Sequence, residues 1–380
     1  MDDILTRGVE AVLPNREALT KRLTAGPIKL FMGVDATGPN LHLGHLASLL
    51  KLRDFQQAGH LVIVLLGDFT TQIGDPTDKL AARRVMTLDE VEANIKDYER
   101  QVLLILDKTK TIFRRNGEWF NKMSVQDFLN LATEFTDKDL TDRDMFVERK
   151  KQGKPVYANE LFYPLLQGYD SVALGVDLEV GGNDQIFNML AGRDLMSHRG
   201  REKFVLATKL LIDPTGKKMG KTEGNMANLD DSPSELFGKI MSWTDEMMPL
   251  GFEILTRLPA KEYQEILAGH PKEAKLALAE EIVKLIHSDD KAKGAKDSFE
   301  STFSTGEAVE PIIISTIAGA KLGEVLVANK LVKSKSDFRR LVEQGAVELG
   351  GDKITDSDYI LNQNISGRIG AHRFIKIELN

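Results

Sequence analysis

Residues 28–67 read IKLFMGVDATGPNLHLGHLASLLKLRDFQQAGHLVIVLLG, and this stretch decides the fold. Ile28 to Asp35 is an apolar run that predicts a buried strand, ended by the turn-forming Ala36-Thr37-Gly38-Pro39-Asn40. Leu46, Leu49, Leu50, Leu52 and Phe55 then keep helical spacing as far as Ala58-Gly59, and His60 to Gly67 reads as a second core strand. Strand, helix and strand in so short a span predict a parallel crossover with a right-handed connection, and so an α/β chain built on a doubly wound parallel sheet.

Outward from this unit, residues 87–160 look mostly helical and charged, and are expected to be an insertion between the two halves of the sheet. Asp177-Leu178-Glu179-Val180 and Lys203 to Leu211 predict strands that resume it. From Ser232 to Ser301 the pattern is helical, with Leu278, Ile282, Leu285 and Ile286 on one stripe; Thr302 to Glu310 reads as a linker. The expected domains are 1–225, 226–310 and 320–380.

With 380 residues and 42% apolar side chains, the chain can bury a sizeable core. It has no cysteine, which excludes a disulfide framework, thiolate-ligated zinc and thiol catalysis. The beginning of the chain lacks a basic region followed by an apolar signal core, and the longest apolar run, Leu61 to Leu66, is too short for a bilayer, so a cytoplasmic location without membrane partners is expected. The net charge of -7 argues against a generally basic nucleic-acid coat, and no DNA partner is expected. Residues 321–380, however, carry ten Lys/Arg against eight Asp/Glu, leaving -9 on the rest. That C-terminal piece is a separate electrostatic unit.

Two motifs carry chemistry. His42 and His45, three apart at the start of a helix, share a face, and Gly44 between them leaves the backbone open to a flat ligand such as a nucleotide. The helix N-terminus suits a triphosphate, although capping or surface histidines are the plainer alternative. No carboxylate or Cys set beside them completes a metal site. In the second motif, Gly216-Lys217-Lys218-Met219-Gly220-Lys221-Thr222, three residues separate the glycines where a P-loop needs four. Two lysines on a Gly-flanked loop still suit a leaving pyrophosphate, with Lys221 the closer contact; an exposed charged turn is the alternative.

Taken with Gly33-Val34-Asp35, Thr37, Gly74-Asp75-Pro76 and Gly181-Gly182-Asn183-Asp184-Gln185, these segments resemble the class I aminoacyl-tRNA synthetases, and within them the bacterial tyrosyl-tRNA synthetases. The resemblance spans nearly the whole chain, including an S4-like RNA-binding segment from Val325 to about Leu361. It implies a Rossmann-like catalytic domain with a helical insertion, a helical domain and a small α+β S4-like domain, working as a homodimer on ATP, L-tyrosine and tRNA(Tyr), with Mg2+ held by the ATP phosphates.

Position by position, the resemblance implies that Thr37, His42, His45, Lys218, Lys221 and Thr222 act on the phosphates. Gly33, Asp35, Gly44, Gly182 and Asp184 would lie on the nucleotide side, with Lys79 and Arg83 a cationic segment closing on pyrophosphate or else ordinary surface charges. Tyr163, Gln167 and Asp170, on one helical stripe, match the amino-acid pocket together with Phe31, Thr70, Asp75 and Gln185. Asp75, Tyr163 and Gln167 would hold the ammonium, and Asp170 the phenol hydroxyl. Phe31 stands where many members carry a tyrosine that also touches that hydroxyl. Lys333, Lys335, Arg339 and Arg340 would face RNA, in a helix pair over Lys330 to Val342 followed by a β-hairpin at Gly345 to Gly351. The rivals are a tryptophanyl-tRNA synthetase and a catalytically silent, synthetase-like RNA-binding protein.

Overall fold

The computed structural model describes residues 2–75, 86–141, 144–216, 226–304, 312–329, 331–332, 334–370 and 373–379. These fall into two compact units, one of residues 1–231 and 239–288, the other of residues 232–238 and 289–380.

In the first unit the chain runs β1 (Val9–Leu13), α1 (Arg16–Thr24), β2 (Lys29–Asp35), α2 (Leu43–Gln57) and β3 (Leu61–Gly67). There follow α3 (Leu88–Val102), β4 (Thr111–Arg115), α4 (Gly117–Phe120), α5 (Val125–Ala132), α6 (Asp137–Thr141), α7 (Asp144–Lys151) and α8 (Ala158–Leu174). The unit continues with β5 (Leu178–Gly182), α9 (Ile186–His198) and β6 (Phe204–Thr208). β2 and β3 pair in parallel, from Lys29 opposite Leu61 to Asp35 opposite Gly67, so the opening stretch folds as expected. β3 is buried from Val62 to Gly67, which is why it reads as a continuous apolar run rather than an alternating one.

The sheet order is β1-β6-β5-β2-β3-β4, with β1 the antiparallel edge. From β2 the chain first builds outward through β3 and β4, then returns to lay β5 and β6 on the other side. The switch point therefore lies between β2 and β5, where open α/β sheets place their ligands beyond the strands' C-terminal ends. α8 and α9 pack at a close crossing: a Cβ on Gly168 would meet Ala191 C and Gly192 N at 3.0 Å. α8 ends at Gly175, whose φ of +61 closes the helix in the left-handed conformation.

Two expectations need correction. The segment 87–160 is not wholly a helical insertion, because β4 joins the main sheet; Thr111 to Arg115 is a short edge strand whose charged end hides its period. Nor do residues 226–310 form a separate helical unit. After α10 (Pro233–Met241), α11 (Met248–Leu255), α12 (Ala260–Leu267) and α13 (Pro271–Ile286) belong with the first unit, and α14 (Asp289–Ser304) with the second. The apolar stripe is the reason: Leu278 and Ile282 are fully buried, and α13 packs on α11, which in turn packs on α2.

The second unit carries β7 (Ile312–Thr316), α15 (Leu322–Ala328), α16 (Lys335–Glu343), β8 (Val347–Leu349), β9 (Asp352–Lys353), β10 (Ile365–Ile369) and β11 (Arg373–Leu379). Its sheet has the order β7-β11-β10-β8-β9 over a core that includes Leu322, Leu326, Phe338, Val347 and Ile375. The β8–β9 hairpin turns on Gly350 and Gly351, both at positive φ, as a two-residue turn requires.

α2, which presents the His42 motif, is anchored at its far end by a buried cation. Lys51 is 2% exposed, donates to the Ile4 carbonyl at 2.7 Å and lies 3.7 Å from Asp54, which Arg257 grips with two hydrogen bonds of 2.9 and 2.7 Å. Burial pulls the Lys51 pKa down to about 8. Between that value and the ordinary lysine pKa of roughly 10.4 the unfolded chain binds more protons, so stability should rise with pH there and this contribution should be constant below it. In urea titrations, the wild type's stability relative to Lys51→Met should increase by roughly 2–3 kcal/mol across that window; a difference independent of pH would contradict the burial argument.

Candidate active site

The crevice at the β2/β5 switch point is organised around Asp35, the last residue of β2. Its Oδ1 accepts from Thr70 Oγ1 at 2.7 Å and its Oδ2 from the Tyr163 hydroxyl at 2.9 Å. Gly67, opposite Asp35 on β3, leaves the space this carboxylate fills; a Cβ there would fall 2.1 Å from Asp35 Oδ1. Asn116 Nδ2 donates to Thr70 Oγ1 at 2.9 Å and to Asp170 Oδ2 at 3.4 Å, and Trp119 Nε1 donates to Asp170 Oδ1 at 3.0 Å. One bonded line thus runs from Tyr163 through Asp35, Thr70 and Asn116 to Asp170. It joins Thr70, Tyr163 and Asp170 to Asp35, which the sequence reading put on the nucleotide side, and adds Asn116 and Trp119, which pattern reading missed.

Burial sets the protonation of both ends. It drives the Tyr163 hydroxyl well above its ordinary pKa, reinforced by the carboxylates of Asp35 and Asp75, so Tyr163 remains a donor. Burial also pushes the Asp170 carboxyl well above the usual range, while the hydrogen bonds from Asn116 and Trp119 oppose the shift. Gln185 Nε2 donates to Asp75 Oδ2 at 2.8 Å, and Asn188 Nδ2 to Gln185 Oε1 at 3.0 Å. Gln167 Nε2 donates to Glu179 Oε1 at 3.0 Å. Phe31 has no exposed surface and packs with Ile63, Leu65, Leu174 and Val176.

On the neighbouring side, His42 is the N-cap of α2. Its Nδ1 accepts from Gly44 N at 3.1 Å, His45 Nδ1 accepts from His42 N at 3.2 Å, and the rings lie 4.0 Å apart. The capping alternative is therefore realised. Because each Nδ1 accepts, a neutral ring carries its proton on Nε2. Gly44 answers to the same geometry, since a Cβ would come within 2.8 Å of His42 Cε1. Thr37 N closes a tight turn onto Asp35 O at 2.8 Å. Gly33 is exposed although it lies in a central strand, with only the Phe31 ring edge near its missing side chain, which leaves the backbone open to a ligand. At the end of β5, Gly182 makes room for Asp184, whose Oδ1 would lie 2.5 Å from a Cβ at Gly182.

Lys218, Lys221 and Thr222 lie outside the described residues, as do Lys79, Arg83 and Lys333. The chain just beyond the lysine motif is described, and it pairs with the histidine motif: Leu43 N bonds Ala227 O at 3.0 Å and Leu229 N bonds Leu41 O at 2.9 Å. Residues 227–229, far from the histidine motif in sequence, share its frame. In the second unit, exposed Lys335 pairs with Glu324 at 2.7 Å and exposed Arg340 with Asp337 at 2.6 Å; Arg339 is exposed beside them. Among the described residues no group of three His, Asp or Glu side chains could hold a metal ion, and no helix is long and apolar enough to cross a membrane.

This geometry agrees with sequence relationships. A family model described as tRNA synthetases class I (W and Y) matches residues 23–304, and one described as the Tyrosine--tRNA ligase SYY-like C-terminal domain matches residues 307–369. The chain is 39% identical to the tyrosine--tRNA ligase of Francisella tularensis, over 99% of this chain and 97% of that one. It is 38% identical to that of Carboxydothermus hydrogenoformans, over the same shares. The chain belongs to the tyrosyl-tRNA synthetase family. Solved tyrosyl-tRNA synthetases share its fold. The C-terminally truncated Aspergillus nidulans mitochondrial enzyme superposes with a TM-score of 0.67 at 23% identity, covering 80% of this chain and 93% of that one. The Archaeoglobus fulgidus enzyme complexed with L-tyrosine gives 0.61 at 22%, covering 77% and 98%.

Trp119 Nε1 is the donor to Asp170 Oδ1. Trp119→Phe keeps an aromatic ring and removes that donor, so urea unfolding at neutral pH should show a loss of about 1–3 kcal/mol. Unchanged stability would mean that the bond contributes nothing.

Proposed function

We propose that this crevice activates L-tyrosine with ATP and passes the tyrosyl group to tRNA(Tyr). The observation that carries the reading is the bonded line from Tyr163 to Asp170, which sets polar groups at two ends beside the apolar Phe31 cluster. Asp75, Tyr163 and Gln167 take the ammonium, Gln185 lies toward the carboxylate, and Asp170 accepts the phenol hydroxyl. Thr37 and the Nε2 atoms of His42 and His45 meet the phosphates, and Gly182 and Asp184 the ribose, with Gly33 and Gly44 letting the nucleotide approach.

ATP enters with Mg2+ on its phosphates. A carboxylate oxygen of tyrosine attacks the α-phosphorus, the bond from that phosphorus to the bridging oxygen breaks, and pyrophosphate leaves toward Lys218, Lys221 and Thr222, with Lys79 and Arg83 closing on it. The terminal ribose hydroxyl of tRNA then attacks the tyrosyl carbonyl and AMP departs. The first step requires no proton transfer, so positioning and charge stabilisation lower its barrier. A cytoplasmic location is part of the proposal.

ATP–pyrophosphate exchange tests the reading. Tyrosine should support it, with kcat/KM for phenylalanine at least about a hundredfold lower because Asp170 would lose its partner inside the protein. Exchange with tryptophan instead would favour the sister enzyme, and no exchange with any amino acid would favour a silent RNA-binding protein.

The second unit is proposed to hold tRNA through Lys333, Lys335, Arg339 and Arg340. The ion pairs of Lys335 and Arg340 are exposed and weakly held, so phosphates can replace their carboxylates readily. Arg339→Ala with Arg340→Ala should raise the KM for tRNA and lower its salt dependence by about two phosphate contacts, while tyrosine-dependent exchange persists; unaltered charging kinetics would refute the assignment. A homodimer is proposed as well. Val125 and Leu129 on α5 are 77% and 52% exposed, apolar surface that a second copy would cover. Sedimentation should give a dimer, and Val125→Asp with Leu129→Asp a monomer; a wild-type monomer would exclude it.

A further inference from the structure

Behind the pocket lies a buried ionic unit to which none of the roles above is assigned. Glu179, 1% exposed, stands within β5 as the register partner of Phe31, and Lys203, 0% exposed, immediately precedes β6. The Lys203 ammonium bonds Glu179 Oε2, donates to the Met189 carbonyl at 3.0 Å, and lies 5.9 Å from the centre of the Phe31 ring. Ser171 Oγ reaches Glu179 Oε2 at 3.3 Å, and Gln167 Nε2 donates to Oε1 at 3.0 Å. Gly192 makes the room: a Cβ there would come within 2.5 Å of Lys203 Nζ and 2.6 Å of Ser171 Oγ. Burial lowers the proton affinity of Lys203 and Glu179 raises it, so the lysine's charge depends on the glutamate.

Stability is a weak reason for such a pair, since desolvating two charges commonly offsets their attraction and an apolar replacement often folds as well. Its neighbour supplies a better one. A glutamine amide presents a donor on one branch and an acceptor on the other, and a half-turn exchanges them with almost no change of shape. An ionised carboxylate only accepts. With Glu179 taking one N–H of Nε2, the branch of Gln167 turned away from the carboxylate is its carbonyl oxygen, which it offers a ligand.

We infer that Glu179, paired with Lys203, is a positioning residue that sets the polarity of Gln167, so that the site presents an acceptor rather than an N–H to the amino acid's ammonium group. This rests on the proposed contact between Gln167 and the ammonium. Ser171 and Gly192 belong to the same device, one bonding the carboxylate and the other leaving space for the lysine.

Glu179→Gln keeps the shape but puts an amide opposite Gln167 that can donate or accept, so the polarity is no longer fixed. Because this leaves Lys203 unpaired, Glu179→Gln with Lys203→Met is made beside it, removing the lone buried charge. Two quantities are read in pyrophosphate exchange: the KM for tyrosine, and the inhibition constant of 3-(4-hydroxyphenyl)propionate, which is tyrosine without its amino group. Losing a charge-assisted hydrogen bond should raise the tyrosine KM about ten- to hundredfold, with the inhibition constant of the amine-free analogue within about twofold of wild type. A parallel rise in both would show a collapsed pocket, and no rise in either an idle ion pair; each overturns the inference.

Gln167→Ala separates this claim from the one beneath it. If that variant alone leaves the tyrosine KM unchanged, the ammonium contact itself is wrong. If it raises the KM, the double change at 179 and 203 should add nothing further in its background, because both act through the same amide. Additive losses would overturn the positioning role and leave the ammonium contact standing.

Discussion

A single carboxylate at the end of the central strand, Asp35, has to be bonded on both oxygens for this crevice to keep its shape. Thr70 comes to it from the turn after β3 and Tyr163 from α8, two segments well separated along the chain. Asp35 is half-buried, and a partly desolvated carboxylate that loses a donor gives up a hydrogen bond worth about 1 kcal/mol or more, so a shift of either segment is penalised. Gly67 follows from the same constraint, since any side chain there would occupy the carboxylate's place. Because Thr70 also accepts from Asn116, the constraint passes on to Asp170 at the other end of the line. The line from Tyr163 to Asp170 is thus one hydrogen-bonded object, not a set of separately placed side chains.

The nucleotide half is held differently, by backbone. His42 and His45 cap α2 reciprocally, and each ring is oriented by an amide of its own segment. That fixes the tautomer as well as the direction, so both rings can offer Nε2–H at a helix N-terminus where backbone donors also gather. Pairing of Leu41 and Leu43 with Leu229 and Ala227 then ties the end of the lysine segment to the same turn. Capping and phosphate binding are compatible roles for these histidines, because capping uses Nδ1 and leaves the other nitrogen directed elsewhere.

The crossover unit over residues 28–67 was legible because β3 is buried from Val62 to Gly67 and α2 is buried all round from Leu46 to Leu52, so their apolar runs reported burial directly. β4 was not, being a short edge strand among charged helices where the period is weak. Tyr163, Gln167 and Asp170 were marked by the family resemblance and their shared helical stripe, yet the partners of that stripe were not. Asn116 and Trp119 are separated from Asp170 by some fifty positions, and nothing local marks them as its donors. Glu179 did leave a trace, as a charge within a strand otherwise built of apolar residues and glycine, whereas Lys203 is hidden at the end of the charged run Arg201-Glu202-Lys203. A charge in such a place must find a partner, but the sequence cannot say which.

Phe31 looks different in this light. Its register partner is Glu179, and the Lys203 ammonium lies near the ring, so the position adjoins an ion pair already saturated by Gln167, Ser171 and the Met189 carbonyl. An aromatic ring beside a buried cation is favourable without any hydroxyl. In the proposed function, recognition of the substrate hydroxyl rests on Asp170, whose two oxygens are supported from the segment after β4 by Asn116 and Trp119. Phenylalanine in the pocket would bring no hydroxyl to that buried carboxyl. Tyrosyl-tRNA synthetases are themselves the standard illustration of how such an unpaired group enforces selectivity. On the proposed assignment, Phe31 leaves the discrimination to Asp170 on α8 and to the turn that supports it.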